Sequence, residues 1–187
     1  MIIIKSKSNA VNWGVGHVSA GWSNAGLLNA PNSFGSSSYF ASTAPTSTVF
    51  SIQDNTVTNI GSATYVAYCF APVAGYSAFG SYTGNGDPNG TFVYLGFRPR
   101  FIMIKASSFS TASTVWTIFD TRRSPYNASV LELYPNDPIS EQTDSNGIDI
   151  LSNGFKPRRN SEYANLSGQT YIYMAFAEHP FKYANAR

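Results

Sequence analysis

Acids and imidazoles are the groups most able to do chemistry, and the chain has few of them: six Asp, four Glu and two His among 187 residues. Glycoside cleavage needs two carboxylates on either side of one bond. The acids that could supply them, Asp120, Glu132, Asp144 and Glu162, are scattered along the sequence. No serine sits in the glycine-flanked turn that exposes a hydrolase nucleophile, so a Ser-His-Asp triad has no anchor. Hydrolysis of a surface polysaccharide is the weakest of the functional readings. The segment DSNGID offers Asp144, Asn146 and Asp149 as oxygen ligands around a glycine, a set suited to calcium, but it lacks the distal bidentate acid of a complete calcium loop. An ordinary Asx-rich turn ahead of the strand IDIL is the competing and preferred reading.

Binding chemistry has more material. Six of the seven arginines form three near-neighbour pairs, Arg98/Arg100, Arg122/Arg123 and Arg158/Arg159. Guanidinium groups grip phosphate or carboxylate, so Arg122, Arg123, Arg158 and Arg159 are candidates for an anionic glycan. The alternative is that they bridge to local acids or across a subunit contact. Aromatics are 15% of the chain, and Trp22, Tyr39, Tyr76 and Tyr82 lie in or beside polar, glycine-rich stretches where a ring could stack on a sugar. Core packing is the default role for most such rings.

The elements that would position these groups read as β-structure. Hydrophobic residues are 43% of the chain, enough for a core, while charged residues are only 12%, about half the usual share. A formal net charge of +2 lacks the dense basic face of a nucleic-acid binder. One cysteine, Cys69, rules out an intrachain disulfide or a cysteine-rich zinc site. No apolar run reaches the roughly 18–20 residues that cross a bilayer, and the start MIIIKSKSNA lacks the pattern of a secretory signal. The expectation is a soluble chain made in a cytoplasm, with no nucleic-acid partner and no membrane insertion.

The chain also repeats itself. MIIIK at residues 1–5 matches FIMIK at 101–105. Trp13 then matches Trp116, Pro31-Asn32 matches Pro135-Asn136, and TYVAYCFA at 64–71 matches TYIYMAFA at 170–177. The separations, 100, 103, 104 and 106, grow as small loop insertions would make them. Two tandem related units are expected, residues 1–75 and 76–187. The second carries a leading segment, YSAFGSYTGNGDPNGTFVYLGFRP (76–99), whose counterpart is absent upstream of Met1. A sheet lacking those strands has an unpaired edge, so residues before Met1 are expected to complete it.

Alternation in TYIYMAFA sets Ile172, Met174 and Phe176 on one face and Tyr171, Tyr173, Ala175 and Ala177 on the other, and predicts Val66, Tyr68 and Phe70 inward in the first unit. Cys69 then takes the place of Ala175 as a structural small residue. FIMIK is apolar on both faces, as a central strand covered from both sides would be, with its lysine closing the strand at the surface. TVWTIFDT (114–121) alternates again. No stretch keeps a helical period. The fold class is all-β, an antiparallel β-sandwich of jelly-roll-like character.

The runs YTGNG…GTFVYLGFRPRFIMIK, SPYNASVLELYPNDP, GIDILSNGFKPRRNS and SGQTYIYMAFAEHPFK resemble a β-rich domain near the C-termini of tailed-phage virion proteins, tail- or fibre-associated chains. The likeness covers residues 82–182 and, more loosely, 1–74. It implies a virion structural component without catalytic residues, assembled in the host cytoplasm as a homo-oligomer, a trimer by preference, beside other virion proteins and displayed where it meets a host surface. The first unit has only Lys5, Lys7 and Asp54 as charges before position 75, which suits burial against neighbours. A lectin-like tip that recognises cell-surface glycan is the first alternative.

Overall fold

The computed structural model describes residues 1–111 and 114–180, apart from the side chain of Ser145; residues 181–187, which the sequence assigns to the second unit, lie outside the described residues. The fold is an all-β antiparallel sandwich. The strands are β1 (Ile2–Ser6), β2 (Gly14–Gly16), β3 (Asn24–Leu27), β4 (Gly35–Ser36), β5 (Tyr65–Cys69), β6 (Ser77–Thr83), β7 (Val93–Tyr94), β8 (Pro99–Ala106), β9 (Thr117–Asp120), β10 (Ser129–Glu132), β11 (Gln142–Leu151), β12 (Gly154–Pro157) and β13 (Thr170–Ala177). They form three sheets in the orders β4-β3-β2-β1-β5, β6-β13-β8-β9 and β10-β11-β12-β7. The one helical element among the described residues is a 3-10 turn at Val18–Ala20.

The sheets stack as layers because the middle one is apolar on both faces. Met103, Ile172, Met174 and Trp116 pack with Met1, Ile3 and Val15 of the first sheet. From the opposite face Ile102, Ile104, Phe119, Tyr171 and Ala175 pack with Val93, Ile148, Ile150 and Phe155 of the third. β8 therefore lies buried between two layers, as FIMIK predicts. The outer face of the first sheet carries Ile2, Ile4 and Ala25 and is covered by loop residues, chiefly Phe40, Trp22, Phe50 and Ile52. Glycine makes that cover fit: a Cβ on Gly16 would come within 2.7 Å of both the Phe40 and Trp22 rings.

Strand registers follow the sequence repeat. Ile3 lies opposite Val15 and Tyr68, and Met103 opposite Ile118 and Met174. Moving β1 by 100, β2 by 103 and β5 by 106 carries every β1–β2 and β1–β5 pair onto a pair of the middle sheet: Ile2↔Cys69 onto Ile102↔Ala175, Ser6↔Tyr65 onto Ala106↔Tyr171, Ile4↔Gly14 onto Ile104↔Thr117. Polar contacts follow too, since Lys5 Nζ donates to the Val11 carbonyl at 2.6 Å and Lys105 Nζ donates to that of Thr114.

Four expectations need correction. Lys105 does not reach the surface; it is fully buried, and its ammonium also donates to the Pro31 carbonyl at 2.6 Å. Asn32 is not the counterpart of Asn136. Trp13 N–H donates to Asn29 Oδ1 at 2.9 Å and Trp116 N–H to Asn136 Oδ1 at 2.7 Å, so Asn29 holds that place, one turn away from the Pro-Asn pair. DSNGID is not a turn before a strand but lies inside β11, where residues 144–147 bulge opposite Val130; at Gly147 the backbone of Ser129 comes too close to admit a Cβ. Tyr68 is 45% exposed rather than inward, its ring stacked on that of Trp13 at 6.4 Å.

Candidate functional site: an open strand edge and an apolar pocket

β5 is the last strand of its sheet. The bonds Phe70 N–H to Met1 O, the Met1 ammonium to Phe70 O and Lys7 N–H to Thr64 O show that even-numbered residues of this stretch face β1. The main-chain groups of Tyr65, Ala67 and Cys69 therefore point away from the sheet. At the equivalent edge of the middle sheet, Tyr171, Tyr173 and Ala175 face Tyr82, Gly80 and Ala78 of β6. The first sheet has no strand in that place among the described residues, and Ala67, Tyr68 and Cys69 are all exposed.

A pocket of about 540 Å³ opens beside this edge. Met1, Ile2, Trp22, Phe50, Cys69 and Phe70 are among its lining, and no Asp, Glu, His, Lys, Arg, Asn or Gln side chain contributes to it. Val18 and Val49 on its rim are 54% and 62% exposed. Burial lowers the pKa of the Met1 ammonium, with Cys69 opposing that shift. The pocket has a counterpart that is filled. Ile102, Ala175 and Ala177, at the places of Ile2, Cys69 and Ala71, belong to a core with Val93, Leu95 and Phe97. Cys69 is accordingly exposed where Ala175 has 0% exposure.

The other candidate groups are spread over the molecule. Trp22 is half-buried at the pocket, edge-on to Phe40 at 5.6 Å. Tyr39 is half-buried in the loop-covered core. Tyr76 packs on Phe176 at 5.9 Å. Tyr82 belongs to the core: it is stacked on Tyr171 at 5.3 Å, its hydroxyl donates to the Ala164 carbonyl, and burial pushes its pKa up. Arg122 is exposed and has no ion pair among the described residues. Arg123 bridges Asp120 and Glu141, and Arg158 meets Asp149 at 3.4 Å. Burial pushes the Asp120 carboxyl up, but the Arg123 backbone N–H and guanidinium and the Arg122 N–H hold it below its ordinary value.

Arg159 pairs with Asp144 and with Glu132, which is 0% exposed. Its guanidinium lies 4.8 Å from the centre of the Tyr163 ring, which stacks on Tyr134 at 5.9 Å. Burial pushes the Tyr134 hydroxyl pKa up, and the bond that hydroxyl donates to Glu132 adds to the shift. Tyr134, Asp144, Arg159 and Tyr163, with Ile139, Gln142 and Thr143, line a second concavity of about 430 Å³. Asn146 donates its N–H to Asp144 at 3.0 Å, and no group of three or more His, Cys, Asp or Glu among the described residues is placed to hold a metal. Sequence reading missed Tyr134 and Tyr163, which sit far apart in the chain with no shared motif.

A family model described as a domain of unknown function matches residues 1–180. The chain belongs to the family DUF7483. No curated protein matches it, and no solved structure does. The open edge and both concavities of the DUF7483 chain fall inside the matched span.

His17, one of the two histidines, is structural. It is fully buried, its Nδ1 accepts the Ser19 N–H at 3.2 Å, and Nε2 therefore carries the proton and donates to the Tyr173 carbonyl at 3.1 Å. Burial lowers its pKa to about 4, so it stays neutral while tying the first sheet to the middle one.

Proposed function

We propose that this DUF7483 domain is a non-enzymatic structural module of a tailed-phage virion, tail- or fibre-associated, that works by docking to other polypeptides. The observation that carries the reading is the pocket beside β5: the larger of the two concavities is lined mainly by apolar side chains, with no Asp, Glu, His, Lys or Arg side chain among them. Such a lining suits the docking of an apolar partner segment. Shared registers and shared lysine contacts support reading the chain as one unit written twice, with the matching faces of the two copies packed together. The virion assignment rests on the resemblance of the sequence motifs. In that setting the domain is a homo-oligomer, a trimer by preference, without cofactor or catalytic residues, and located in the particle.

Mass spectrometry of particles purified from the producing culture tests the assignment. The parent protein is expected to co-purify with particles through a density gradient. Recovery only in the soluble host fraction would contradict it.

A second reading, glycan recognition, is favoured by the concavity at Tyr134, Tyr163, Arg159 and Gln142, where stacked rings lie beside polar groups. A glycan-array signal lost in Tyr163→Ala and kept in Trp22→Ala would support that reading; an array without signal would retire it.

A further inference from the structure

We infer that the outer edge of β5 and the adjoining pocket form an acceptor site for a β-strand of another polypeptide, one built like residues 77–97 of this chain. The inference rests on reading the domain as an assembly module and names what docks there. Two observations made at different atoms point to the same occupant. The first is main-chain: the groups of Tyr65, Ala67 and Cys69 face outward, and their counterparts Tyr171, Tyr173 and Ala175 are satisfied by β6. The second is side-chain: the pocket is lined by Ile2, Cys69 and Ala71, whose counterparts Ile102, Ala175 and Ala177 share one core with Val93, Leu95 and Phe97. In the second half one continuous segment does both jobs, pairing through β6 and turning back so that its apolar end enters the core.

The internal precedent sets direction, register and side-chain pattern. β6 runs antiparallel to β13 with Phe79 opposite Met174, Ser81 opposite Ile172 and Ser77 opposite Phe176. Carried to β5, an incoming strand places its Phe79-like ring opposite Tyr68, with flanking small residues opposite Val66 and Phe70. Antiparallel addition at a free edge supplies the affinity through main-chain bonds, and alternate side chains supply the choice of partner. A Gly/Asn turn like GNGDPNG then returns an apolar residue to the pocket.

The test is a titration of the folded chain with a capped peptide of residues 76–97, read by amide hydrogen exchange. Saturating peptide is expected to slow exchange at Ala67 and Cys69 at least tenfold. A peptide with Phe79→Ala and Phe97→Ala is expected to bind at least tenfold more weakly. Ala67→Pro removes one outward N–H without touching the β1 bonds; it is expected to keep the native near-ultraviolet circular dichroism and lose peptide binding. No added protection at millimolar peptide, equal protection by a scrambled peptide, or a dimer already joined through β5 that the peptide does not displace would each overturn the inference. Particle incorporation of Ala67→Pro at the wild-type level would overturn this site while leaving the assembly reading intact.

Discussion

Lys5 and Lys105 make the same bond in the two halves: each ammonium reaches forward to the carbonyl of the residue two before the tryptophan that leads into the next strand, Val11 before Trp13 and Thr114 before Trp116. Their surroundings differ. Lys5 is half-buried, whereas Lys105 is enclosed between sheets and also holds Pro31 of the first half.

That difference gives a pH prediction. Burial lowers the Lys105 pKa from 10.5 to about 8. Between those values the unfolded chain holds a proton that the folded chain has released, so stability rises with pH across the window. The full shift corresponds to about 3 kcal/mol, and a gain of about 1–3 kcal/mol from pH 8 to 10 is expected relative to Lys105→Met. Urea unfolding at a series of pH values measures it; parallel curves for the two proteins would contradict the assignment.

His17 acts at the acid end. Its pKa falls from 6.5 to about 4 on folding because of burial. The unfolded chain is then the more protonated between those values, and stability is lost as pH drops from about 6.5 to 4. His17→Gln is expected to flatten that loss by up to about 3 kcal/mol relative to wild type. Acid unfolding midpoints of the two proteins test this.

Gly16→Ala is expected to destabilise by about 1–3 kcal/mol through overpacking, because its Cβ would press on both Phe40 and Trp22. Gly35→Ala, with nothing within 4 Å of the new Cβ, is the control expected to leave the melting temperature unchanged or slightly raised.

Trp116→Phe removes the 2.8 Å bond from Nε1 to the Leu27 carbonyl, one of the polar ties between the halves. The loss of a buried partner is expected to cost about 1–3 kcal/mol in denaturant unfolding. Trp13→Phe, whose ring is only partly buried, is expected to cost less.

Much of this fold was legible because β-strands announce themselves by period and because the chain states its pattern twice. The faces of 170–177, the double coverage of β8 and the matching registers all follow from alternation and offset in the sequence. Burial of Lys105 was not legible, since a lysine at a strand end looks like a surface residue until a loop from the other half supplies the Pro31 carbonyl. The bulge at residues 144–147 was missed because Asx and Gly favour turns and bulges alike, and only the partner strand decides between them. Of the candidate site, Cys69 in the place of Ala175 was the one residue visible in the sequence. Phe50 and Val49, far from β5 in sequence, carried no signal that they would frame the pocket.

The most direct measurement is site-resolved amide exchange on the isolated chain, comparing β5 with β13. An open acceptor edge predicts that Ala67 and Cys69 exchange orders of magnitude faster than Tyr173 and Ala175, their counterparts under β6. Equal protection at the two pairs would mean that the edge is already closed, and would contradict the account.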